Sequence, residues 1–569
     1  MIQETEEKAL VSQALEARKL AYAPYSGYTV GAALLTADGH RYLGGNIENA
    51  SYGATNCAER TAFFKAVSEG EREFTAIAIA GGISGEAPVE YAYPCGICRQ
   101  VMQEFCRDDF VIYVVNSEQD YQRITSLWIW RRCNQMNIRL YNARILTMEP
   151  GREVFYGEVW VKNDKIAYVA EQKELAEEWD KSQFPRIAWD IELDCKGNLL
   201  MPGFKNAHTH SGMTFLRSMA DDLPLDQWLN KQVFPLEAKL TGEDIYELTR
   251  LAVLEYLTSG VTSIFDMYLT PDTIAEACLD TGMRCVLVSG LNNFSSSPKQ
   301  VEEEFLKWNK KNSLISYQLG FHAEYTCSKE LLWKVSEMAH HYRTPVYAHI
   351  SETEKEVEEC KARYGMTPPM FLDSLGMFDF GGGGFHCVHV TEQDMDVFRR
   401  HRMYVITNPG SNTKLASGIA PIADYVRHKI PVAIGTDGPA SNNCLDMFRE
   451  MFLVTGLSKL LEKDASSMDA VEVLKMATVN GAKAMRLNRA DVLAKGKYAD
   501  LIMIDLHQPN MQPIHNIPKN LVYSGSKSNV CMTMIGGKIL YRNGEFNVGE
   551  NPERIYTKCE KIVKRLLTE

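Results

Sequence analysis

The chain has 569 residues, 45% of them hydrophobic and 24% charged, with a formal net charge of −12. That length and ordinary composition fit a globular protein of two or more domains, and the acidic balance argues against nucleic acid as a partner, because a polyphosphate needs a basic footprint. The acidic opening Met1-Ile2-Gln3-Glu4-Thr5-Glu6-Glu7 is no signal peptide, and no apolar run reaches the roughly 18 residues of a membrane-spanning helix.

Leu10, Ala14, Ala17 and Ala21 recur at helical spacing, and Pro24, Ser26 and Gly27 end that helix ahead of a strand from Tyr28 to Leu35. Asp38-Gly39 marks a hairpin into the next strand. Helices from Cys57 to about Gly70 and from Cys95 to about Cys106, with short apolar strands at Ala76 to Ala80 and Phe110 to Val115, complete a small α/β/α domain over residues 1–137. From Ile138, short strands and turns run to about Leu200. Apolar strands at Ser263 to Phe265, Arg284 to Ser289, Ser316 to His322, Val346 to His349, Gly384 to His389, Tyr404 to Thr407 and Val432 to Gly435 then alternate with amphipathic helices. That alternation predicts a parallel (β/α)₈ barrel over residues 201–489. Ala499 to Ile504 and Val530 to Tyr541 return to strand, so 138–200 and 490–548 together predict a small flanking β-domain, and 549–569 a C-terminal helix. The 14 cysteines form no dense framework. They read as reduced thiols of a cytoplasmic protein, some available to metal.

Cys57, Cys95 and Cys98 are the first such group. Three thiolates hold one Zn²⁺ and leave a fourth position for water. Cys57 and Cys95 each open a helix, whose free N–H groups favour thiolate over thiol. Glu59 lies two residues past a ligand, free to shuttle a proton, and Arg60 is placed to hydrogen-bond a thiolate. CxxC alone reads equally as a redox pair or a structural zinc, but Cys-x-Glu upstream of it is the zinc deaminase signature. Ala21-Tyr22-Ala23-Pro24-Tyr25-Ser26, Val30-Gly31-Ala32-Ala33-Leu34-Leu35, Asn46 to Gly53, Cys57-Ala58-Glu59-Arg60-Thr61-Ala62 and Pro94 to Gln100 resemble the small tetrameric cytidine deaminases over about residues 8–116. The resemblance implies zinc on Cys57, Cys95 and Cys98, Glu59 as proton shuttle, Asn46 and Glu48 on the ribose hydroxyls, and a homo-oligomer. On the residues alone, Asn46 and Glu48 also read as turn caps. Tyr28 stands where the family has Phe beside the base, and the family's closing Leu-Leu-Pro has no counterpart after Asn116.

The second group is His208, His210, His349, His386 and Asp437. His208 and His210 alternate on a strand and face one side. The others end later strands, where barrel enzymes carry their chemistry. Histidines with one carboxylate suit Zn²⁺ or Fe²⁺. Residues 138–548 resemble the amidohydrolase superfamily, and within it the branch containing 5′-methylthioadenosine/S-adenosylhomocysteine deaminases. That resemblance implies one metal on His208, His210, His349 and Asp437, and Glu352 protonating the purine ring nitrogen. It also implies His386 acting with Asp437 to orient the nucleophile, and Trp228, Glu237 and His322 around the nucleoside, with Glu237 on the ribose. Tyr317 to His322 carries no lysine to bridge a second metal.

Together these readings predict a bifunctional deaminase of small-molecule nucleosides, acting on cytidine or deoxycytidine and on an adenosine derivative. The alternatives are a barrel acting on guanine or another free purine base, against which Glu237 stands, and an N-terminal domain that only binds or oligomerises. Ser289 occupies the end of the third barrel strand, where the resembling branch meets a substrate carboxylate with arginine. Unless Arg217 or Arg284 substitutes, 5′-methylthioadenosine or adenosine is expected to be preferred over S-adenosylhomocysteine.

Overall fold

A helix, α1 (Glu4–Ala17), opens the computed structural model, which describes residues 4–49, 55–89, 91–107, 109–125, 136–172, 189–219, 221–223, 225–310 and 312–568. The chain divides into two units, Met1–Met136 and Asn137–Glu569. In the first, β1 (Tyr28–Thr36) and β2 (Arg41–Gly45) make the hairpin around Asp38-Gly39, followed by α2 (Ala58–Ser68), β3 (Phe74–Ile83), α3 (Gly96–Phe105), β4 (Val111–Val115) and β5 (Tyr121–Thr125). The sheet runs β2-β1-β3-β4-β5, with β3 and β4 parallel and the other neighbours antiparallel.

Alternation along β3 sorts its side chains to two faces. Ile77 and Ile79 join Phe63, Met102 and Phe110 on the face of α2 and α3, while Ala76, Ala78 and Ala80 join Leu10, Val11 and Ala14 of α1. Small residues let α1 lie close: a Cβ on Gly31 would sit 2.3 Å from the Ala14 carbonyl oxygen. Strand β5 has no clear signal in the sequence. Among the described residues it is an edge strand, paired with β4 and burying only Ile124, and its register is fixed partly by the Tyr113 and Tyr121 hydroxyls, which both donate to Glu7 (2.9 and 2.8 Å).

The second unit begins with β6 (Asn137–Ile145), β7 (Phe155–Lys162), β8 (Lys165–Glu171), β9 (Ile191–Asp194) and β10 (Leu199–Pro202). Eight parallel strands follow: β11 (Phe204–Thr209), β12 (Val261–Asp266), β13 (Arg284–Val288), β14 (Ile315–Ala323), β15 (Val346–Ile350), β16 (Gly382–His386), β17 (Tyr404–Thr407) and β18 (Val432–Ile434), each bonded to the next. This is the expected (β/α)₈ barrel. Its seam between β18 and β11 is closed by side chains and one backbone bond. Thr436 N donates to Asn206 Oδ1 (2.8 Å), Asn206 Nδ2 to Thr436 Oγ1 (2.7 Å), and Asp437 N to the His208 carbonyl (3.0 Å). Gly435 is obligatory there, because a Cβ would lie 2.7 Å from His208 N.

After the barrel, β19 (Leu501–Ile504), β20 (Val530–Ile535), β21 (Lys538–Arg542) and β22 (Glu545–Phe546) join β6 to β10 in one mixed sheet, through the antiparallel pair β10–β19. The flanking sheet thus takes strands from both sides of the barrel sequence. The run Val530 to Tyr541 is two strands rather than one, because Gly536 and Gly537 adopt φ of +54° and +74° and turn the chain into a hairpin.

The flanking sheet is locked to the N-terminal end of the barrel by Arg284. Its guanidinium is 2% exposed and grips both oxygens of Asp500 (2.6 and 2.9 Å), while Gly536 N donates to the same carboxylate (2.8 Å). Asp500→Asn keeps the shape but leaves a buried guanidinium without a counter-charge, which costs about 3–5 kcal/mol. The urea transition of the barrel unit is expected to shift accordingly; a loss below about 1 kcal/mol, the scale of an exposed pair, would contradict this role.

Candidate active sites

In the first unit, α2 and α3 present the three cysteines. Cys57 and Cys95 are the N-cap residues of these helices, in extended conformation, and Cys98 lies one turn into α3. The sulfurs of Cys57 and Cys95 are 3.6 Å apart and those of Cys95 and Cys98 are 3.4 Å apart. Thiols this close resist joint ionisation. Hydrogen bonds from Cys57 and Cys98 pull the Cys95 thiol far down, and the same contacts push Cys57 and Cys98 up. A shared cation removes the conflict, so the donor set fits Zn²⁺. Arg60 Nη2 reaches Cys57 Sγ at 3.6 Å and the Thr55 carbonyl at 2.9 Å. Glu59 is 4% exposed, and burial raises its pKa to about 7.

A cavity of about 350 Å³ opens beside this cluster, lined by Tyr28, Asn46, Cys57, Glu59, Tyr91 and Cys95 among others. Asn46 spends its Oδ1 on Val30 N (2.7 Å) and one amide hydrogen on the Tyr28 carbonyl (3.0 Å). Glu48 accepts from Tyr25 N (2.9 Å), Ser26 N (3.1 Å) and the Ser26 hydroxyl, bonds that hold its carboxyl below the usual range. The turn-cap reading therefore describes the bonds both residues make.

In the second unit, the C-terminal ends of β11, β15 and β16 and the turn after β18 converge. His208, His210 and His349 place ligand atoms within 4.8 Å of one another, as do His208, His386 and Asp437. Asp437 Oδ1 is 3.5 Å from His208 Nε2 and 3.1 Å from His210 Nε2. His349 Nδ1 bonds the His322 carbonyl (2.7 Å) and His210 Nδ1 the Met267 carbonyl. A carbonyl only accepts, so both rings carry their proton on Nδ1 and turn Nε2 to the cluster. The ring nitrogens of His208 are buried without a hydrogen-bond partner among the described residues. Orphaned nitrogens between a carboxylate and two aimed imidazoles fit a metal. Burial holds His208 and His349 well below the ordinary histidine range, which keeps them neutral ligands.

Glu352 Oε1 accepts from the Ser417 hydroxyl (3.2 Å) and lies 3.9 Å from His386 Nδ1; burial raises its pKa. His386 Nδ1 pairs with Asn412 Oδ1 (2.7 Å), which leaves Nε2, 3.9 Å from Asp437 Oδ2, as the free nitrogen. His389 instead bonds the Ser417 carbonyl at 2.6 Å. Trp228 is buried, its indole N–H unpartnered among the described residues. The His322 ring lies 4.9 Å from that of His349, and burial lowers its pKa to about 4. Glu237 is half-buried, and desolvation raises its pKa to about 7 against the pull of Tyr268 and His210. Of the two arginines, Arg284 begins β13 at the end opposite Ser289 and is held by Asp500, and Arg217 is paired with Glu255 (2.5 Å).

Sequence reasoning missed the supports of this site. The Ser411 and Ser441 hydroxyls both donate to Asp437 Oδ2 (2.6 and 2.8 Å). The Tyr256 hydroxyl contacts those of Thr209 (2.7 Å) and Ser211 (2.9 Å), bracketing His210. Glu356 accepts from Ser351 N and Glu352 N, both at 2.8 Å. The spacing Thr353-x-x-Glu356 is a capping-box signal for the helix Glu354–Tyr364, yet this carboxylate serves the turn before it. Ser351, His386, Cys387 and Asp437 all have φ between +46° and +70°. Such backbone costs about 1–3 kcal/mol per residue and marks functional turns.

Residues 199–540 match the amidohydrolase family, and residues 4–114 match the cytidine and deoxycytidylate deaminase zinc-binding region. A 5-methylthioadenosine/S-adenosylhomocysteine deaminase of Caldanaerobacter subterraneus subsp. tengcongensis is 37% identical over 442 residues, 76% of this chain and 99% of the relative. A 5′-deoxyadenosine deaminase of Methanococcoides burtonii is 39% identical over 412 residues, 71% of this chain and 92% of the relative. The crystal structure of an adenosine deaminase from Xanthomonas campestris with bound zinc aligns with a TM-score of 0.71 at 31% identity, covering 76% of this chain and 99% of that one.

Two separate centres predict about two divalent metals per chain. Elemental analysis of Cys95→Ser and of His208→Ala is expected to find about one each. Loss of both metals from either folded variant would contradict separate centres.

Proposed function

We propose that this chain, which belongs to the amidohydrolase family and carries a cytidine and deoxycytidylate deaminase zinc-binding region ahead of it, is a bifunctional nucleoside deaminase. The N-terminal site converts cytidine or deoxycytidine to the uridine product. The barrel converts an adenosine derivative, such as 5′-methylthioadenosine or S-adenosylhomocysteine, to the inosine derivative, and both release ammonia. The observation that carries this reading is the same in each unit: a buried glutamate, its pKa raised by desolvation, stands beside a cluster of metal-ligand side chains.

Zn²⁺ on the three cysteines, and Zn²⁺ or Fe²⁺ on His208, His210, His349 and Asp437, would each supply Lewis-acid activation of water when bound. Glu59, poised near neutrality, takes a proton at its carboxylate and delivers it to the pyrimidine N3. The cavity at its side falls in the small-molecule range of about 300–1,000 Å³, and Tyr28 lines it beside the base. In the barrel, Glu352 carries the proton for the purine N1. His386 holds its Nδ1 proton on Asn412, so its Nε2 is the nitrogen that accepts one. Trp228 and His322 enclose the nucleoside and Glu237 accepts from the ribose hydroxyls, a contact that a free base such as guanine would leave unused.

Ammonia release across cytidine, deoxycytidine, adenosine, 5′-methylthioadenosine, S-adenosylhomocysteine and guanine tests the reading. A cytidine and at least one adenosine are expected to turn over; turnover of guanine alone would contradict it. With Ser289 at the end of β13 and both arginines engaged elsewhere, the carboxylate of S-adenosylhomocysteine lacks a charge-assisted bond worth about 1.5–3 kcal/mol. Its kcat/KM is expected to be about tenfold to hundredfold below that of 5′-methylthioadenosine or adenosine. A clear preference for S-adenosylhomocysteine would show that its carboxylate has another partner.

A further inference from the structure

Glu450, on the helix Met447–Glu462, is 0% exposed, and both its oxygens accept from N–H donors of active-site turns. Oε2 takes Gly410 N (2.8 Å) and Oε1 takes Asn442 Nδ2 (2.8 Å). Gly410 lies in the first turn of the short helix Pro409–Lys414 that follows β17, and its next two residues are Ser411, donating to Asp437 Oδ2 (2.6 Å), and Asn412, paired with His386 Nδ1 (2.7 Å). Asn442 follows Ser441, the second donor to Asp437 Oδ2 (2.8 Å), and also donates to the carbonyl of Thr436, the residue before Asp437 (2.7 Å). The approach leaves no room for adjustment: a Cβ on Gly410 would lie 2.4 Å from Glu450 Oε1. Asp437 itself sits at φ +59°, in the left-handed region, which aspartate tolerates better than most residues.

We propose that Glu450 is a positioning residue of the barrel site: by accepting from the segments that follow both β17 and β18, it aims Asp437 at its partner histidines and fixes the tautomer of His386. The proposal rests on the reading of this cluster as a metal-dependent deaminase site. It also gives Ser441-Asn442 a role, since one carboxylate ties this segment after β18 to the short helix after the neighbouring strand β17. Two donors require an acceptor-only group. Glutamine at 450 would turn an amide N–H₂ toward Gly410 N–H or Asn442 Nδ2, losing one bond and facing donor with donor.

The test compares Glu450→Gln with the parent and with Asp500→Asn, which loosens the far end of the barrel. After dialysis against graded chelator, Glu450→Gln is expected to give up one metal equivalent at about tenfold lower chelator and keep the other, with kcat on the barrel substrate down about 10–100-fold and KM little changed. Asp500→Asn is expected to lower stability without either effect. The chelator result is independent of which substrate is turned over, so it separates failure of this proposal from failure of the functional reading. If Glu450→Gln does not fold, Asn442→Ala removes one of the two tethers and is expected to weaken metal retention in the same direction. Unchanged metal retention in the folded variant, or a loss matched by Asp500→Asn, would overturn the proposal.

Discussion

Asp437 keeps its negative charge in a place that should discharge it. It is 5% exposed, and burial alone would raise its pKa. Contact with the His210 imidazole first, then the neighbouring imidazoles of His386 and His208, holds it well below the usual carboxylate range instead, and the hydroxyls of Ser411 and Ser441 donate to it. An ionised carboxylate in low dielectric must be paired with something. The clustered histidines, with Nε2 atoms of His210 and His349 turned inward and the His208 nitrogens without a hydrogen bond among the described residues, are that something once a cation joins them. The strained turns at Ser351, His386 and Asp437 follow from the same need, because they bring ligating and proton-carrying groups to one point from strands whose regular geometry would spread them around the barrel mouth.

The N-terminal unit solves the same problem with different parts. Its charge is carried by thiols at two helix N-termini, where the peptide dipoles favour anions, and Arg60 offsets the surplus. In both units, the group assigned to move protons is a glutamate whose pKa is raised by burial: Glu59 beside Cys57, and Glu352 three residues beyond His349. Glutamate is an acid too strong to hold a proton at neutral pH when solvated, so burial is what suits it to this work.

The parts of the molecule governed by local pattern were legible in the sequence. Barrel strands such as β13, β15 and β18 are short apolar runs, and the cysteine pair sits at a spacing that one helix turn dictates. Strand β5 was not legible, because an edge strand paired on one side needs no apolar alternation and Tyr121-Gln122-Arg123 offers none. The Val530 to Tyr541 run hid a turn that Gly536-Gly537 could have revealed. The supports of the barrel site lay out of reach for a different reason. Ser411 and Asn412 meet Asp437 and His386, and Glu450 meets Gly410, only after the barrel closes, and nothing near those residues in the chain marks them. Ser441 and Asn442 lie close in the chain to Asp437, but their bonds to Asp437, Thr436 and Glu450 form only when the segment folds against the barrel. Arg284, a nominal candidate for a substrate carboxylate, belongs to the opposite end of the barrel.

The central claim is that one chain carries two chemically independent deaminase sites, each with its own ligands and its own buried glutamate. Steady-state rates of Glu59→Gln and Glu352→Gln, each assayed on cytidine and on 5′-methylthioadenosine, test it most directly. Glutamine keeps the volume but cannot carry the proton, so each variant is expected to lose about 100-fold or more on one substrate and to stay near the parent rate on the other, in opposite senses. If either folded variant lost both activities, the two sites would not be independent and the account would fail.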